Sequence, residues 1–426
     1  MGNQILGSDK NIRLNDFPLT GMFQSFDWSP AFNAQDIFEL GKDTKVATAR
    51  ELETQGSFEV LSIGGSAGLL ARMIVDRNVG TNAFLGYKWT TGNKNNYTLT
   101  QTDLKECNFD IVAIEKSDQA SYDRAVVLPR CFLTSVSGRA DANGTASETY
   151  NFGGAEVIGL PTPYHVARSI PATRTTSTTV TLADTAVAST THALIYLYVD
   201  DKRIRETASG DTTTASLGAS GVITVTGGGY TVPATARIQA IVYDNTSPTT
   251  TYPSVSAGDR LTSNFFVRGH MADVYIAPAD ATNPTANEKW LKVQSVDWNI
   301  DLRTEALRQI SFTEAGTSIY CRLPTYPLDV TMNASVYESD WKDWKASMTN
   351  TFPGNNVYQD NYNFANLKET FAVVIQYRTK TGTLLQTWRF TDMTVDGYGQ
   401  RTQVQGRAEI SWTLRGTEFT LLGVNA

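Results

Sequence analysis

Gly64-Gly65-Ser66-Ala67-Gly68 fits the pattern G-x-S-x-G, and it falls between an expected strand, Phe58 to Ile63, and an expected helix, Ala67 to Val75. A serine on such a turn is where a nucleophile elbow presents its hydroxyl. That chemistry also needs an acid and a histidine further along, set in a doubly wound βαβ frame, and no such pattern surrounds Ser66. Glycine and serine are ordinary turn residues, so a serine hydrolase is a remote alternative. Asp200-Asp201 and Asp340/Asp343 offer carboxylates, but no loop follows the D-x-[DN]-x-[DN]-G calcium pattern, and solvated turns account for them. Trp341 and Trp344 have the spacing of a helix face, where aromatics are more often buried than sugar-binding. No P-loop or G-x-G-x-x-G is present.

The remaining candidates for chemistry are few. The three histidines, His165, His192 and His270, leave little for acid–base catalysis or metal binding. The three cysteines, Cys107, Cys131 and Cys321, have no C-x-x-C spacing, so neither a zinc site nor a disulfide framework is expected, and folding in a reducing cytoplasm fits. The sequence therefore predicts no catalytic, cofactor-binding or metal-binding residue, and no enzyme.

Lys and Arg total 36 against 43 Asp and Glu, a net charge of −7 over 426 residues. That balance argues against a protein whose affinity comes from gripping phosphates, though not against one that surrounds DNA without binding it. The N-terminus shows no basic stretch followed by an apolar run, and Leu6 stands where a myristoylation motif wants Ser or Thr. The longest uncharged stretch, Thr212 to Ala236, holds Gly227-Gly228-Gly229, Pro233 and many threonines, which is turn and strand material rather than a membrane span.

The elements that would position any site are organised by an internal repeat. Gln24-Ser25-Phe26-Asp27-Trp28 recurs as Gln294-Ser295-Val296-Asp297-Trp298, 270 positions later. Glu39-Leu40-Gly41 has a counterpart in Glu314-Ala315-Gly316, and Phe58-Glu59-Val60 in Leu328-Asp329-Val330. Phe132 to Gly138 resembles Phe390 to Gly397, and each copy ends in an alternating stretch, Ser147 to Leu160 and Ala408 to Leu422. Val293 to Ile300, Phe371 to Arg378 and Thr387 to Val395 read as strands. Ser339-Asp340 caps an expected helix reaching Met348. Between the copies, residues 168–262 hold 22 threonines and none of the eight tryptophans. Short β-branched runs there (Thr178 to Leu182, Ala193 to Val199, Gly221 to Thr226, Ala236 to Tyr243) predict a small β-sandwich bounded by Pro-containing linkers. The expected fold is mainly β: a two-sheet module with one flanking helix, made twice, as residues 1–167 and 263–426, with a sandwich inserted at 168–262.

From Lys292 to Met348 the order of features resembles the tail-tube proteins of long-tailed bacteriophages: a strand, a polar excursion, a return strand after Pro324 and Pro327, then one helix. Phe23 to Val75 is similar in a more diverged form. The resemblance covers about three quarters of the chain, everything outside the insert. It implies a virion structural protein whose modules, a β-sandwich or half-barrel with a helix each, close as trimers of pseudo-hexameric rings. The rings stack into a tube through which double-stranded DNA passes without specific binding. A tape-measure protein and other tail proteins would be partners. Assembly would take place in the host cytoplasm, without membrane insertion. The insert resembles an immunoglobulin-like decoration domain, which in two-module relatives lies at the C-terminus. It is expected to project outward and to be dispensable for tube formation. The alternatives from other classes are a β-rich adhesin or another tail or baseplate ring component.

Two polar segments, Gly41 to Gly56 and Glu314 to Tyr326, take the same place in each copy and are long for hairpin turns. They are expected to be loops ordered against an adjacent ring. Lys42, Asp43, Lys45, Arg50, Glu51 and Glu53 in the first and Glu314 and Arg322 in the second are the candidate contacts.

Overall fold

The structure, a computed structural model, describes residues 10–14, 17–18, 23–38, 45–61, 96–101, 108–118, 121–154, 156–160, 167–200, 202–205, 213–234, 236, 238–244, 269–278, 289, 293–308, 319–324, 327–337, 370–401 and 409–424. The expected helices at Ala67 to Val75 and Ser339 to Met348 lie outside these residues, and so does the Ser66 motif. The described residues are mainly β-strand.

The first half of the chain contributes β1 (Lys10–Leu14), β2 (Phe17–Pro18), β3 (Phe23–Phe38), β4 (Lys45–Leu61), β5 (Asn96–Thr100), β6 (Asn108–Asp118), β7 (Ser121–Asp141), β8 (Ser147–Gly154) and β9 (Ile158–Leu160). β7 belongs to two sheets. Up to Phe132 it lies between β6 and β9, with β1 beyond β6. From Phe132 onward it pairs with β8, then come β4 and β3. The change of sheet falls at Arg130, whose φ of 55° is left-handed. Its N–H, turned out of the ladder, donates to the Asp110 carboxylate at 2.7 Å. Register shifts at Asp110 and Thr134 flank the bend, as bulges do where a strand must turn. Asn143-Gly144 makes the expected hairpin turn between β7 and β8, with the Gly144 N–H donating to the Asp141 carbonyl at 2.9 Å.

Seven strands follow: β10 (Ala167–Arg174), β11 (Thr179–Leu182), β12 (His192–Val199), β13 (Lys202–Arg205), β14 (Thr214–Leu217), β15 (Val222–Thr226) and β16 (Ile238–Asp244). Their pairing runs β10-β11-β15-β14-β13-β12-β16 and back to β10, a closed barrel. The strands expected of a sandwich are present, but they pair around both sides. One seam is the parallel contact of Arg205 with Thr214, and the other is the full antiparallel pairing of β10 with β16. The interior is aliphatic, with Ile170, Leu197, Ile223 and Val242 fully buried. The expected end of the insert at 262 lies outside the described residues.

The second half holds β17 (Ala272–Pro278), β18 (Val293–Asp301), β19 (Thr304–Arg308), β20 (Ile319–Pro324), β21 (Asp329–Tyr337), β22 (Phe371–Arg378), β23 (Leu384–Arg401), β24 (Glu409–Gly416) and β25 (Glu418–Val424). β23, like β7, changes sheets. Its first part lies between β22 and β25, with β17 beyond β22. Its last part pairs with β24, then β21 and β18. The turning residue is Asp392, with φ 54°, 262 positions after Arg130. The register shifts at Ala372 and Asp396 also follow those at Asp110 and Thr134 by 262. In β18 the shift at Gln294 follows that at Gln24 in β3 by 270, the interval of the sequence repeat.

Two of the sequence alignments are corrected by these registers. Trp28 faces Gly56, whereas Trp298 faces Met332, so β4 and β21 correspond at an interval of 276. Phe58 therefore takes the place of Ala334, not of Leu328. The hairpin of the second half is longer by six residues and carries a separate two-stranded arm, β19 with β20. Likewise Phe132 takes the place of Thr394 rather than Phe390.

Candidate functional site: a polar sheet face, a seam and two open edges

The halves join edge to edge. β7 pairs antiparallel with β18, from Ser135 opposite Asp301 to Asp141 opposite Ser295. One sheet then runs continuously as β3-β4-β8-β7-β18-β21-β24-β23. β5 of the first half also pairs antiparallel with β25 of the second.

Strict alternation gives this sheet two unlike faces. One is buried: Val136, Tyr150, Trp298, Met332 and Trp412 point into the core. Trp298 lies 4.4 Å from Trp388 and 5.4 Å from Phe390, centroid to centroid, and within the first half Phe58 of β4 stacks on Tyr150 of β8 at 5.1 Å. Directly opposed pairs in this layer match a glycine with an aromatic ring. Gly56 faces Phe152, Gly153 faces Phe132 and Gly138 faces Trp298. A β-carbon on Gly138 would stand 2.4 Å from the indole, which lies flat over the bare backbone.

The other face is open and polar. Ser25, Asp27 and Ser29 stand on β3; Ser147, Thr149 and Asn151 on β8; Asp297 and Asn299 on β18; Asn333 on β21; Ser411 and Arg415 on β24. Small hydroxyl and amide groups predominate, and the charges are largely acidic. Arg139 Nε stands 3.4 Å from Asp297 across the seam, and its Nη2 3.4 Å from Asp141. Burial raises the pKa of Asp297 above the usual carboxylate value, Arg139 opposes this, and Asp141 adds to it. Asp329 goes the other way. Hydrogen bonds from Arg415, at 3.0 Å to each carboxylate oxygen, hold it below the usual value with help from Arg303 at 2.6 Å.

One buried polar knot ties the halves behind the seam. The Glu148 carboxylate, on β8, accepts the Tyr150 O–H at 2.7 Å, the Gln386 amide at 2.7 Å and the Trp388 indole N–H at 3.1 Å. The last two donors come from β23. A second knot docks the barrel on the first half. Asp110 accepts the Ser169 hydroxyl at 2.6 Å, and Glu156 accepts the Tyr198 O–H at 2.8 Å and pairs with Arg203. Burial and the Glu156 charge raise the Tyr198 pKa well above ordinary. Burial alone would lower that of Arg203, but Glu156 and the tyrosines outweigh it and raise it. Val112, Val127, Tyr198 and Ile241 pack dry between these groups.

Among the described strands, β3 pairs only with β4, and the last part of β23, Thr394 to Arg401, only with β24. Among the described residues the continuous sheet thus ends in two open edges. Trp28 on β3, in the place of Trp298, is half-buried, whereas Trp298 is 2% exposed.

The residues singled out as inter-ring loops are placed differently. Lys45, Arg50, Glu51 and Glu53 lie on β4, opposite Phe38, Ala34, Asn33 and Ala31 of β3, and Arg322 lies on β20 opposite Ala306. They belong to hairpin arms rather than loops, because the strands go on pairing where a long turn was expected. Lys42, Asp43 and Glu314 lie outside the described residues. The seam residues Arg139, Asp141, Asp297 and Gly138 were missed. Their available signal was the Asp of the repeated Gln-Ser-x-Asp-Trp, placed by alternation on the face opposite the Trp.

No protein-family model matches the chain, and no curated protein matches it.

Proposed function

We propose that the chain is the tail-tube subunit of a long-tailed bacteriophage, a virion structural protein whose copies form rings that stack into a conduit for DNA. On this reading the two halves are copies of one duplicated module, and the barrel is an immunoglobulin-like decoration domain docked on the first. The observation that carries it is the continuous sheet, in which equivalent strands of the two halves lie in one row with one face buried and one face wet. A row of this kind, closed on copies of itself, makes a β-barrel without edges. Its wet face then lines the lumen. Ser, Thr and Asn side chains with a modest acidic excess offer duplex DNA few cationic grips, as a channel for sliding requires. The same order of bends and bulges in both halves, 262 residues apart at Arg130 and Asp392 and 270 apart at Gln24 and Gln294, supports duplication, and the pairing of β11-β15-β14 and β13-β12-β16 supports an immunoglobulin-like origin for the barrel.

Purified protein should form trimers of about three chain masses by light scattering, and rings or tubes in negative-stain images. Monodisperse monomer at high concentration, without rings or tubes, would overturn the proposal.

A further inference from the structure

The internal seam is a template for a second one. β7 and β18 are paired over Ser135–Asp141 and Ser295–Asp301. The strands that take their places in the other half, β23 for β7 and β3 for β18, carry the two open edges. We propose that β23 of one chain pairs antiparallel with β3 of a second copy, in the register of the internal seam. This deepens the tube reading and rests on it for the partner's identity.

The register follows from two intervals, 262 from β7 to β23 and 270 from β3 to β18. Arg139 opposite Asp297 becomes Arg401 opposite Asp27; Ser137 opposite Asn299 becomes Gly399 opposite Ser29; Val136 opposite Ile300 becomes Tyr398 opposite Pro30. The sequence keeps the cross-seam charge pair in both places, Arg with Asp, although among the described residues neither strand meets its counterpart within one chain. Asp27 is exposed on β3, awaiting such a partner. Half-buried Trp28 is explained in the same way, because in the internal seam it is the adjoining strand β7 that covers Trp298. The two seams are not identical. Gln400 stands where the internal seam has Gly138, so the indole-over-glycine contact is not repeated. Pro30 also brings one position without an N–H, a residue tolerated on edge strands. The outer seam is thus weaker than the inner one, as befits a contact that forms only on assembly. Because it is head-to-tail, it propagates until the chains close on themselves.

Opposed residues of an antiparallel pair bring their β-carbons within reach of a disulfide. In the full chain with Cys107 and Cys321 replaced by Ser, Asp27→Cys combined with Arg401→Cys should give, on mild oxidation, covalent multimers on a non-reducing gel. Arg139→Cys with Asp297→Cys should crosslink within the monomer. Ser29→Cys with Arg401→Cys, two positions out of register, should lose most of the multimer ladder. Charge reversal gives an independent readout: Asp27→Arg should weaken assembly, and adding Arg401→Asp should restore it. Rings or tubes in the images with no Asp27/Arg401 crosslink would overturn this seam and leave the tube reading standing. A crosslinked ladder without rings or tubes would support the seam and remove the tube reading. A chain that stays monomeric and uncrosslinked would sink both.

Discussion

Asp110 and Ala372 occupy the same bulge of their two halves, 262 residues apart, and the difference between them reflects a neighbour. In the first half the bulge faces the barrel, and Asp110 accepts both the Ser169 hydroxyl and the Arg130 N–H. In the second half nothing described docks there, and a buried alanine suffices. The pattern repeats along the same surface, where buried Val127 of the first half stands in the place of half-buried Arg389. Backbone bends are held in common while side chains follow what each half touches. The comparison also refines the expectation that the barrel is dispensable. It is seated on buried groups, so removing it exposes Val112 and Val127 and leaves the Asp110 carboxylate without its Ser169 donor.

Glu148 is the sharpest asymmetry and carries the largest expected effect. The corresponding residue of β24 is the buried Ile410, so the Glu148 carboxylate has no counterpart at that place in the second half. Glu148→Ala would strand three donors, from Tyr150, Gln386 and Trp388, in a dry interior. At roughly 1–3 kcal/mol for each buried group left unsatisfied, the loss should be about 3–5 kcal/mol. Denaturant unfolding followed by tryptophan fluorescence measures it directly, since Trp388 is in the knot. A cost below about 1 kcal/mol would mean that apolar packing, not this carboxylate, joins the halves.

Gly138 comes next. Gly138→Ala places a methyl group against an indole that is itself held by Trp388 and Phe390, so neither side can yield cheaply. Overpacking of this kind costs about 1–3 kcal/mol. Gln400 takes the same place in the other half, where no glycine faces an indole, so Gln400→Ala should cost less than Gly138→Ala in the same denaturant titration. Equal losses at the two positions would show that the halves are not related in the way the registers imply.

Much of the strand content was legible in the sequence because its causes are local. Phe371–Arg378 and Val293–Asp301 alternate or concentrate β-branched and aromatic residues, and Asn143-Gly144 fixes its turn by chemistry. The Gln-Ser-x-Asp-Trp repeat was legible for a different reason: its Gln marks a bulge and its Asp and Trp mark opposite faces, in both halves. What the sequence hid is non-local. Nothing in β7 says that Ser121–Asp141 must serve two sheets, since its bend is made by one left-handed Arg130 with a hydrogen-bond partner twenty residues away. The arms read as loops because the stretch from Lys45 to Glu53 holds Lys45, Arg50, Glu51 and Glu53 and no clean alternation, while its pairing partner lies across a hairpin that composition does not announce. The seam was invisible because a cross-strand pair such as Arg139 with Asp297 is separated by 158 positions that composition does not link.

The two left-handed residues allow the finest comparison, with the smallest effect. Arg130 and Asp392 have φ values of 55° and 54°, so the same bend strains both backbones. An L-residue held there costs roughly 1–2 kcal/mol relative to glycine, less for Asp, whose short side chain tolerates the region. Asp392 is exposed, so Asp392→Gly should gain about 0.5 kcal/mol, and Asp392→Val, which cannot tolerate the region, should lose about 1–2 kcal/mol. Arg130 is a different case. Its guanidinium lies 5.5 Å from the centre of the Tyr198 ring, on the barrel, so Arg130→Gly relieves strain but gives up a cation–π contact worth about 0.5–2 kcal/mol. It should therefore be neutral or destabilising where Asp392→Gly stabilises. Paired thermal melts of the two glycine variants decide the matter. If both gain equally, Arg130 contributes nothing to seating the barrel; if Asp392→Gly loses stability, the second bend is held by its side chain rather than strained by its backbone.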